Sequence, residues 1–128
     1  MQNGYRLLVV EDDLELCESI AEILRFTGYE VETALDGETA LEVLRRAPAP
    51  DAIVLDLVLP SMSSAELLAA LDRASARPPV VLMTGLMPSH RGPFAQGDVL
   101  MKPFGAEQLL ARVARACGGF AGYEAAAP

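Results

Sequence analysis

Short apolar runs alternate with stretches of helical periodicity along most of the chain. The apolar runs and one alternating segment predict five strands, at residues 7–10, 29–34, 52–56, 80–83 and 98–101. The segments between and after them place apolar residues three and four positions apart and predict four helices, at residues 14–27, 38–46, 64–74 and 105–116. Strands followed by helices in this regular order are typical of an α/β domain.

The strands at 7–10, 52–56 and 80–83 are apolar without alternation, which favours a parallel sheet buried on both faces. We therefore expect a doubly wound five-stranded parallel sheet, flavodoxin-like, with strand order 2-1-3-4-5. In such folds the functional site lies beyond the carboxyl ends of the strands.

The segment 85–97 interrupts the pattern, because its thirteen residues include two prolines and three glycines. A regular helix is disfavoured there. We expect a loop with at most one short helical turn, so that the fourth helix of a regular fold of this type is short or missing. The 128 residues predict a single domain with its core at about 5–117, followed by a tail or linker at 118–128.

Composition narrows the class of protein. A net charge of −8 and a pI near 4.5 argue against direct nucleic-acid binding by this domain. Apolar runs are far shorter than the roughly 20 residues of a membrane span, and the first residues lack a signal-peptide core, so a cytoplasmic protein without membrane contact is expected. Cys17 and Cys117 are predicted to be reduced core residues.

Asp56 stands inside the apolar run "IVLDLVL", where a bare buried carboxylate would cost several kcal/mol or more. The predicted topology explains its position, because other polar residues also end or follow strands at the same edge of the sheet. These residues are Glu11 and Asp12 after strand one, Thr84 at strand four and Lys102 at strand five. Asp56 is therefore predicted to lie at the mouth of a cleft, in a cluster of charged side chains.

The cluster has a definite chemistry. Crowded carboxylates repel one another, and a divalent cation held by oxygen ligands and waters relieves that conflict, which indicates a Mg²⁺ site. Lys102, the only lysine among ten basic residues, and the Thr84 hydroxyl suit an incoming anion. Carboxylate, Mg²⁺, hydroxyl and ammonium together indicate phosphoryl transfer, with Asp56 as the attacking group.

Four motifs, "LLVVEDD", "IVLDLVLP", "VVLMTG" and "LMKPF", stand in the order and spacing of a known family. Over about residues 5–117 the chain resembles the receiver domain of two-component response regulators. The resemblance implies that Asp56 is the phosphoacceptor, that Thr84 is the switch hydroxyl and that Lys102 contacts the phosphoryl group. It also implies a cis Lys102–Pro103 bond and Mg²⁺ as the one cofactor, held by Glu11, Asp12, Asp56 and the backbone carbonyl of Val58.

The same resemblance implies the partners. A histidine kinase or a histidine phosphotransfer protein would supply the phosphoryl group, and the receiver would change conformation to signal to a protein that the sequence does not name. Such a domain phosphorylates itself and slowly dephosphorylates itself, but it is not a dedicated enzyme. A homodimer is left open. The short segment between Thr84 and Lys102 is similar to that of receivers attached to hybrid histidine kinases.

The sequence departs from the family pattern at three places. Ser63-Ser64 replaces the usual Asp-Gly after the phosphoacceptor loop, so the turn either strains a serine or no longer needs a positive φ. Val99 stands where the family often has an aromatic that moves with the switch threonine. The segment between Thr84 and Lys102 is shorter than usual, although the family uses this region for output.

The sequence agrees less well with three other functions than with phosphoacceptance. A Mg²⁺-dependent aspartyl phosphohydrolase usually needs an acid two residues after the nucleophile, where this chain has Val58. A flavodoxin-like cofactor binder would want a phosphate loop after strand one, where "EDD" would repel phosphate. A receiver-like binding module without phosphorylation would have lost a key residue of the motifs, and all of them are present.

Structural roles are expected for several conspicuous residues. Asp13 is predicted to be either the N-cap of the first helix or an acid of its first turn, and Ser63 or Ser64 is predicted to cap the third helix. His90 is expected to be a solvated loop residue. Met83, Met87 and Met101 are interpreted as packing residues.

Overall fold

The computed structural model describes residues 3–46, 48–60, 62–73, 78–90 and 99–118, and the elements follow the predicted order. The strands are β1 (Arg6–Val10), β2 (Glu30–Ala34), β3 (Ala52–Asp56), β4 (Val80–Thr84) and β5 (Val99–Met101). The helices of the described part are α1 (Leu14–Phe26), α2 (Gly37–Arg45), α3 (Ser64–Asp72) and α4 (Ala106–Ala116). These bounds differ from the predicted ones by one or two residues at half of the ends, which is the usual uncertainty of helix and strand termini.

The sheet has the predicted topology. All five strands are parallel, in the order β2-β1-β3-β4-β5. Val10, near the end of β1, pairs with Ala34 on one side and Leu55 on the other, and Thr84 at the end of β4 pairs with Met101. The carboxyl ends of the strands therefore meet along one edge, where the predicted site residues lie.

Helices cover both faces of the sheet and divide the core in two. On one face α1 and α4 pack on the sheet through residues such as Ile20 and Leu109, and on the other α2 and α3 do so through residues such as Val43 and Leu67. Cys17 and Cys117 are free thiols buried in the first of these cores, as predicted. Burial raises the pKa of the Cys17 thiol, and it raises that of Cys117 to about 11.

Local sequence signals explain where the helices begin. Asp13 Oδ1 accepts a hydrogen bond from Leu16 N at 3.2 Å and caps α1, as predicted. Ser63 caps α3 in a reciprocal arrangement with Glu66. Ser63 has φ −68°, and no residue other than glycine has a positive φ in the described ranges, so the turn that leads from the loop after Asp56 into α3 accommodates serine without backbone strain.

The connection between β4 and β5 is described up to His90. Pro88–His90 form a 3₁₀ turn, which agrees with the expected short helical turn, and His90 is exposed. The rest of the predicted loop, the predicted start of the fifth strand at Asp98 and the predicted tail at 118–128, apart from Gly118, lie outside the described residues.

The interpretation of the methionines was only partly correct. Met83 is fully buried and packs in the core, as expected. Met87 is 62% exposed and Met101 is 39% exposed, so the prediction that they pack inside was wrong. Met87 follows the end of β4 in a loop, and Met101 is the last residue of β5 at the edge of the sheet, where few neighbours can cover it.

Within the described ranges, every helix is too short or too polar to span a lipid bilayer.

Candidate functional site

Asp56 is the last residue of β3 and is only 4% exposed. Both of its carboxylate oxygens have partners: Oδ1 accepts a hydrogen bond from Val58 N at 3.0 Å, and Oδ2 lies 3.1 Å from Lys102 Nζ. Leu57 N donates to the carbonyl of Met83 at 2.9 Å, which ties the chain after Asp56 to β4. The Asp56 carboxylate is therefore buried and held in one orientation, and the cost of its burial is offset by the hydrogen bond from Val58 and by the Lys102 ammonium.

Glu11 follows β1 and is 1% exposed, and its backbone N–H donates to Ala34 on the neighbouring strand. Its side chain also uses both oxygens, because Oε1 lies 2.7 Å from Lys102 Nζ and Oε2 accepts from Asp13 N at 3.1 Å. Two buried carboxylates, Glu11 and Asp56, thus share one ammonium group.

Lys102 follows β5, and its side chain is about one quarter exposed. Its backbone N–H donates to the carbonyl of Thr84 at 2.7 Å, which fixes the start of the lysine against the neighbouring strand. Burial lowers the pKa of the Lys102 ammonium, but the hydrogen bonds and charges of Glu11 and Asp56 outweigh it, so that the pKa lies above its ordinary value of 10.5. The Lys102–Pro103 peptide bond is cis, as the resemblance implied.

Thr84, the last residue of β4, is 1% exposed. Its Oγ1 accepts a hydrogen bond from Leu86 N at 3.0 Å, so the hydroxyl keeps its own proton for an acceptor. The role of the Leu86 amide could not be seen in the sequence, because any residue except proline offers the same N–H.

All of the predicted site residues line one open cleft at the carboxyl edge of the sheet, with a volume of about 510 Å³. Charged or hydroxyl side chains make up about half of its lining, and the other lining residues are Val58, Leu59, Pro60, Gly85 and Leu86. Asp12 is exposed on its rim, whereas Glu11 and Asp56 are buried. Val58 is 53% exposed, so the loop after Asp56 is accessible from the cleft.

The donor set fits a hard divalent cation. Glu11, Asp12 and Asp56 each offer an oxygen within 4.8 Å of the others, and the cleft is open enough for waters to complete an octahedron. Oxygens on opposite sides of a Mg²⁺ ion lie about 4.2 Å apart, so a small closure or a bridging water would bring the group to ligating distance. The three carboxylates carry a formal charge of −3 against the +1 of Lys102, and a divalent cation would balance the difference.

Comparisons with known proteins agree with this architecture. The family described as "Response regulator receiver domain" matches residues 7–114. The response regulator MprA of Mycobacterium leprae is 38% identical over 112 residues, which cover 84% of this chain and 49% of that protein. The chain thus spans about half the length of the curated relatives it matches.

Solved structures show the same fold. The chemotaxis response regulator CheY4 of Vibrio cholerae superposes with a TM-score of 0.76 at 30% identity and covers 88% of this chain and 98% of its own. The receiver domain of a signal transduction histidine kinase from Syntrophus aciditrophicus superposes with a TM-score of 0.79 at 28% identity, over 92% of this chain and 93% of its own. From its sequence and its fold, the chain belongs to the response regulator receiver domain family.

Proposed function

We propose that this receiver domain accepts a phosphoryl group on Asp56 from the phosphohistidine of a histidine kinase or histidine phosphotransfer protein. The observation that carries the proposal is the arrangement of Asp56, which is buried at the end of β3, open to a cleft and held by Lys102 Nζ at 3.1 Å beside the acidic pair Glu11 and Asp12. A carboxylate that lines a cleft and lies beside a cation is arranged for attack on phosphorus.

In the proposed reaction an Asp56 oxygen forms the new bond to phosphorus while the bond between phosphorus and the donor imidazole nitrogen breaks. The electron pair of that bond stays on the imidazole nitrogen, which takes up a proton. Mg²⁺ bound by Glu11, Asp12, Asp56 and the Val58 carbonyl would supply positive charge for the phosphoryl oxygens. Lys102 would neutralise the negative charge on one phosphoryl oxygen, and the Thr84 hydroxyl would donate a hydrogen bond to another.

The side chains at the site favour acceptance over dedicated hydrolysis. Val58 stands where an aspartyl phosphohydrolase would carry its acid, and Asp13, which also lines the cleft, uses Oδ1 to cap α1. The cleft therefore offers the nucleophile and the charges that stabilise the phosphoryl group without an evident proton donor for turnover. A signalling domain requires such a site, which accepts a phosphoryl group and then loses it only slowly.

The proposal is tested by phosphorylation with acetyl phosphate and Mg²⁺, followed by intact-protein mass measurement. The wild-type protein should gain one phosphoryl group, and Asp56→Asn should gain none. Asp51→Asn is the matched control, since Asp51 precedes the opposite end of the same strand and its carboxylate accepts a hydrogen bond from Arg6 N at 2.8 Å. Equal labelling of Asp56→Asn and wild type would refute the assignment.

The proposed readout follows from Thr84 and Val99. Thr84 Oγ1 is bound to the Leu86 amide, so a hydroxyl drawn toward a phosphoryl group acts directly on the start of the following loop. Val99 pairs with Leu82 in the sheet and is too small and too stiff to repeat the swing of an aromatic side chain. The conformational change is therefore proposed to act on the segment 84–97, of which the structure describes residues 84–90.

Hydrogen exchange with and without beryllofluoride, in the presence of Mg²⁺, tests this readout. Protection should increase mainly at residues 84–97, with little change along the exposed face of α4. Thr84→Ala removes the hydroxyl and should abolish the added protection while beryllofluoride still binds at Asp56. Protection spread over α4, with 84–97 unaffected, would instead show that this domain uses the output face common in the family.

A further inference from the structure

The loop that leaves Asp56 is fixed at both of its ends. At its start, Val58 N donates to Asp56 Oδ1, and Leu59 is buried with only 8% of its surface exposed. At its end, Ser63 is locked by mutual hydrogen bonds with Glu66, each of 3.1 Å. Met62 lies just before that cap, so a displacement of Met62 acts on the loop between these two fixed points.

Met62 is seated against the first residue of α2. A methyl group built on Gly37 would lie 2.7 Å from Met62 Cβ, 3.0 Å from its Sδ and 3.1 Å from its Cγ. Carbon atoms in contact are normally 3.5–4.0 Å apart, so any side chain on Gly37 forces the two segments to separate. The nearest atom is Cβ, which moves only with the backbone of Met62 and cannot rotate away.

The close approach is the reason for a glycine at this position. Positive φ values occur at Gly4, Gly28 and Gly118 among the described residues, and Gly37 is not one of them. Alanine would fit the backbone of Gly37 and would favour the start of a helix. The start of α2 is held by its own cap, because Asp36 Oδ1 accepts from Thr39 N at 2.7 Å, and a side chain on Gly37 would therefore push against the backbone of Met62.

We propose that Gly37 is a positioning residue for the Asp56 site and acts through Met62 on the loop that carries Val58. Because Gly37 has no side chain, Met62 packs directly against the start of α2. This contact sets the distance of the Val58 backbone from Asp56. The inference rests on the proposed function only in that the Val58 carbonyl is a proposed Mg²⁺ ligand. Its effect on the Val58 amide is independent of metal.

The first measurement is the hydrogen-exchange rate of the Val58 amide in metal-free protein, followed by NMR. Gly37→Ala should accelerate that exchange, because the Val58 N–H moves away from Asp56 Oδ1. The second measurement is the Mg²⁺ dissociation constant, which should rise about 10-fold, as is typical when the support of a metal ligand is disturbed. A purely structural effect would lower thermal stability without changing the metal affinity of the folded protein.

Gly105→Ala is the matched control, because it adds the same methyl group at the start of α4, where the nearest atom is Gln108 Oε1 at 3.9 Å. It should leave both measurements unchanged. In a Met62→Gly background the obstructing Cβ is absent, so adding Gly37→Ala should have no further effect on either quantity. This background also serves if Gly37→Ala alone does not fold, since the double variant should then fold as Met62→Gly does.

The result that overturns the proposal is wild-type Val58 exchange in a folded Gly37→Ala protein, or an equal effect of Gly37→Ala with and without Met62. If the wild-type protein neither binds Mg²⁺ nor accepts a phosphoryl group, the proposed function fails, and the Val58 exchange rates still decide the role of Gly37.

Discussion

Two clusters of charged side chains contact the same sheet and differ mainly in exposure. The site cluster consists of Lys102, Glu11 and Asp56, with nitrogen to oxygen distances of 2.7 and 3.1 Å and carboxylates that are 1% and 5% exposed. The edge cluster consists of Arg6, Glu30, Glu32 and Arg46 around β1 and β2, with distances of 3.3, 3.9 and 3.2 Å and side chains that are 37% to 65% exposed.

Similar distances do not imply similar energies in these two clusters. Exposed ion pairs are solvated before and after they form, and they contribute between about 0 and 1 kcal/mol each. Buried charges have lost their water, so removal of one partner leaves the others without compensation. The edge cluster is therefore a feature of the surface, whereas the site cluster holds unfavourable charge in place, which is typical of a functional site.

The largest expected difference between the clusters appears when each loses a cation. Lys102→Met leaves Glu11 and Asp56 buried without their shared ammonium, and the free energy of unfolding should fall by about 3 kcal/mol. Arg6→Met is the matched change in the edge cluster and should cost less than about 1 kcal/mol. Urea unfolding of both variants in metal-free buffer measures the contrast. Equal losses would show that burial does not distinguish the clusters.

The difference in stability between the wild-type protein and Lys102→Met should depend on pH. Because the pKa of Lys102 is raised on folding, its stabilisation is complete below the ordinary value of 10.5 and is lost as the pH rises through the higher folded value. The stability difference between wild type and Lys102→Met should therefore persist at neutral pH and shrink in alkaline buffer above that range. A difference that grows with alkaline pH contradicts this assignment of the ammonium.

A smaller effect is expected from Mg²⁺, which should stabilise through the site cluster and Asp12. At about ten times its dissociation constant a ligand of the folded state adds about 1.4 kcal/mol, seen as a rise in the thermal midpoint. Glu11→Gln/Asp12→Asn removes two of the three proposed carboxylate ligands and should abolish this rise. Glu30→Gln/Glu32→Gln removes the same number of charges from the edge cluster and should keep the Mg²⁺ response. An unchanged response in the first double variant would refute this site.

The fold and the positions of the site residues could be predicted because each depends on a short-range pattern and one topological rule. Apolar runs mark the strands, and parallel strands end together, so Glu11, Asp56, Thr84 and Lys102 had to meet at one edge. The caps at Asp13 and Ser63 are likewise local, since a side chain bonds to a backbone group three residues away.

Contacts between distant segments could not be predicted in this way. The sequence presents Gly37 as one half of an Asp-Gly turn, and its approach to Met62 exists only once α2 and the loop after β3 are placed side by side. The exposure of Met87 and Met101 depends similarly on what covers the end of β4 and the edge strand β5. The hydrophobic periodicity of a single sequence predicts whether a segment is a helix or a strand, but it does not predict which other segments pack against it.

The smallest expected effect is the coupling free energy of one exposed ion pair in the edge cluster. Arg46 and Glu32 form a pair of 3.2 Å in which both side chains are about half exposed or more. A double-mutant cycle with Arg46→Met and Glu32→Gln should give a coupling free energy of about 0.3 kcal/mol at low ionic strength. It should fall toward zero in about 1 M salt, where the Debye length is about 3 Å.

The corresponding cycle between Lys102 and Glu11 should keep most of its coupling in the same salt, because ions cannot enter between two groups 2.7 Å apart when the carboxylate is buried. Equal salt sensitivity of the two cycles would mean that water reaches the Glu11 carboxylate and would remove the physical distinction between the clusters.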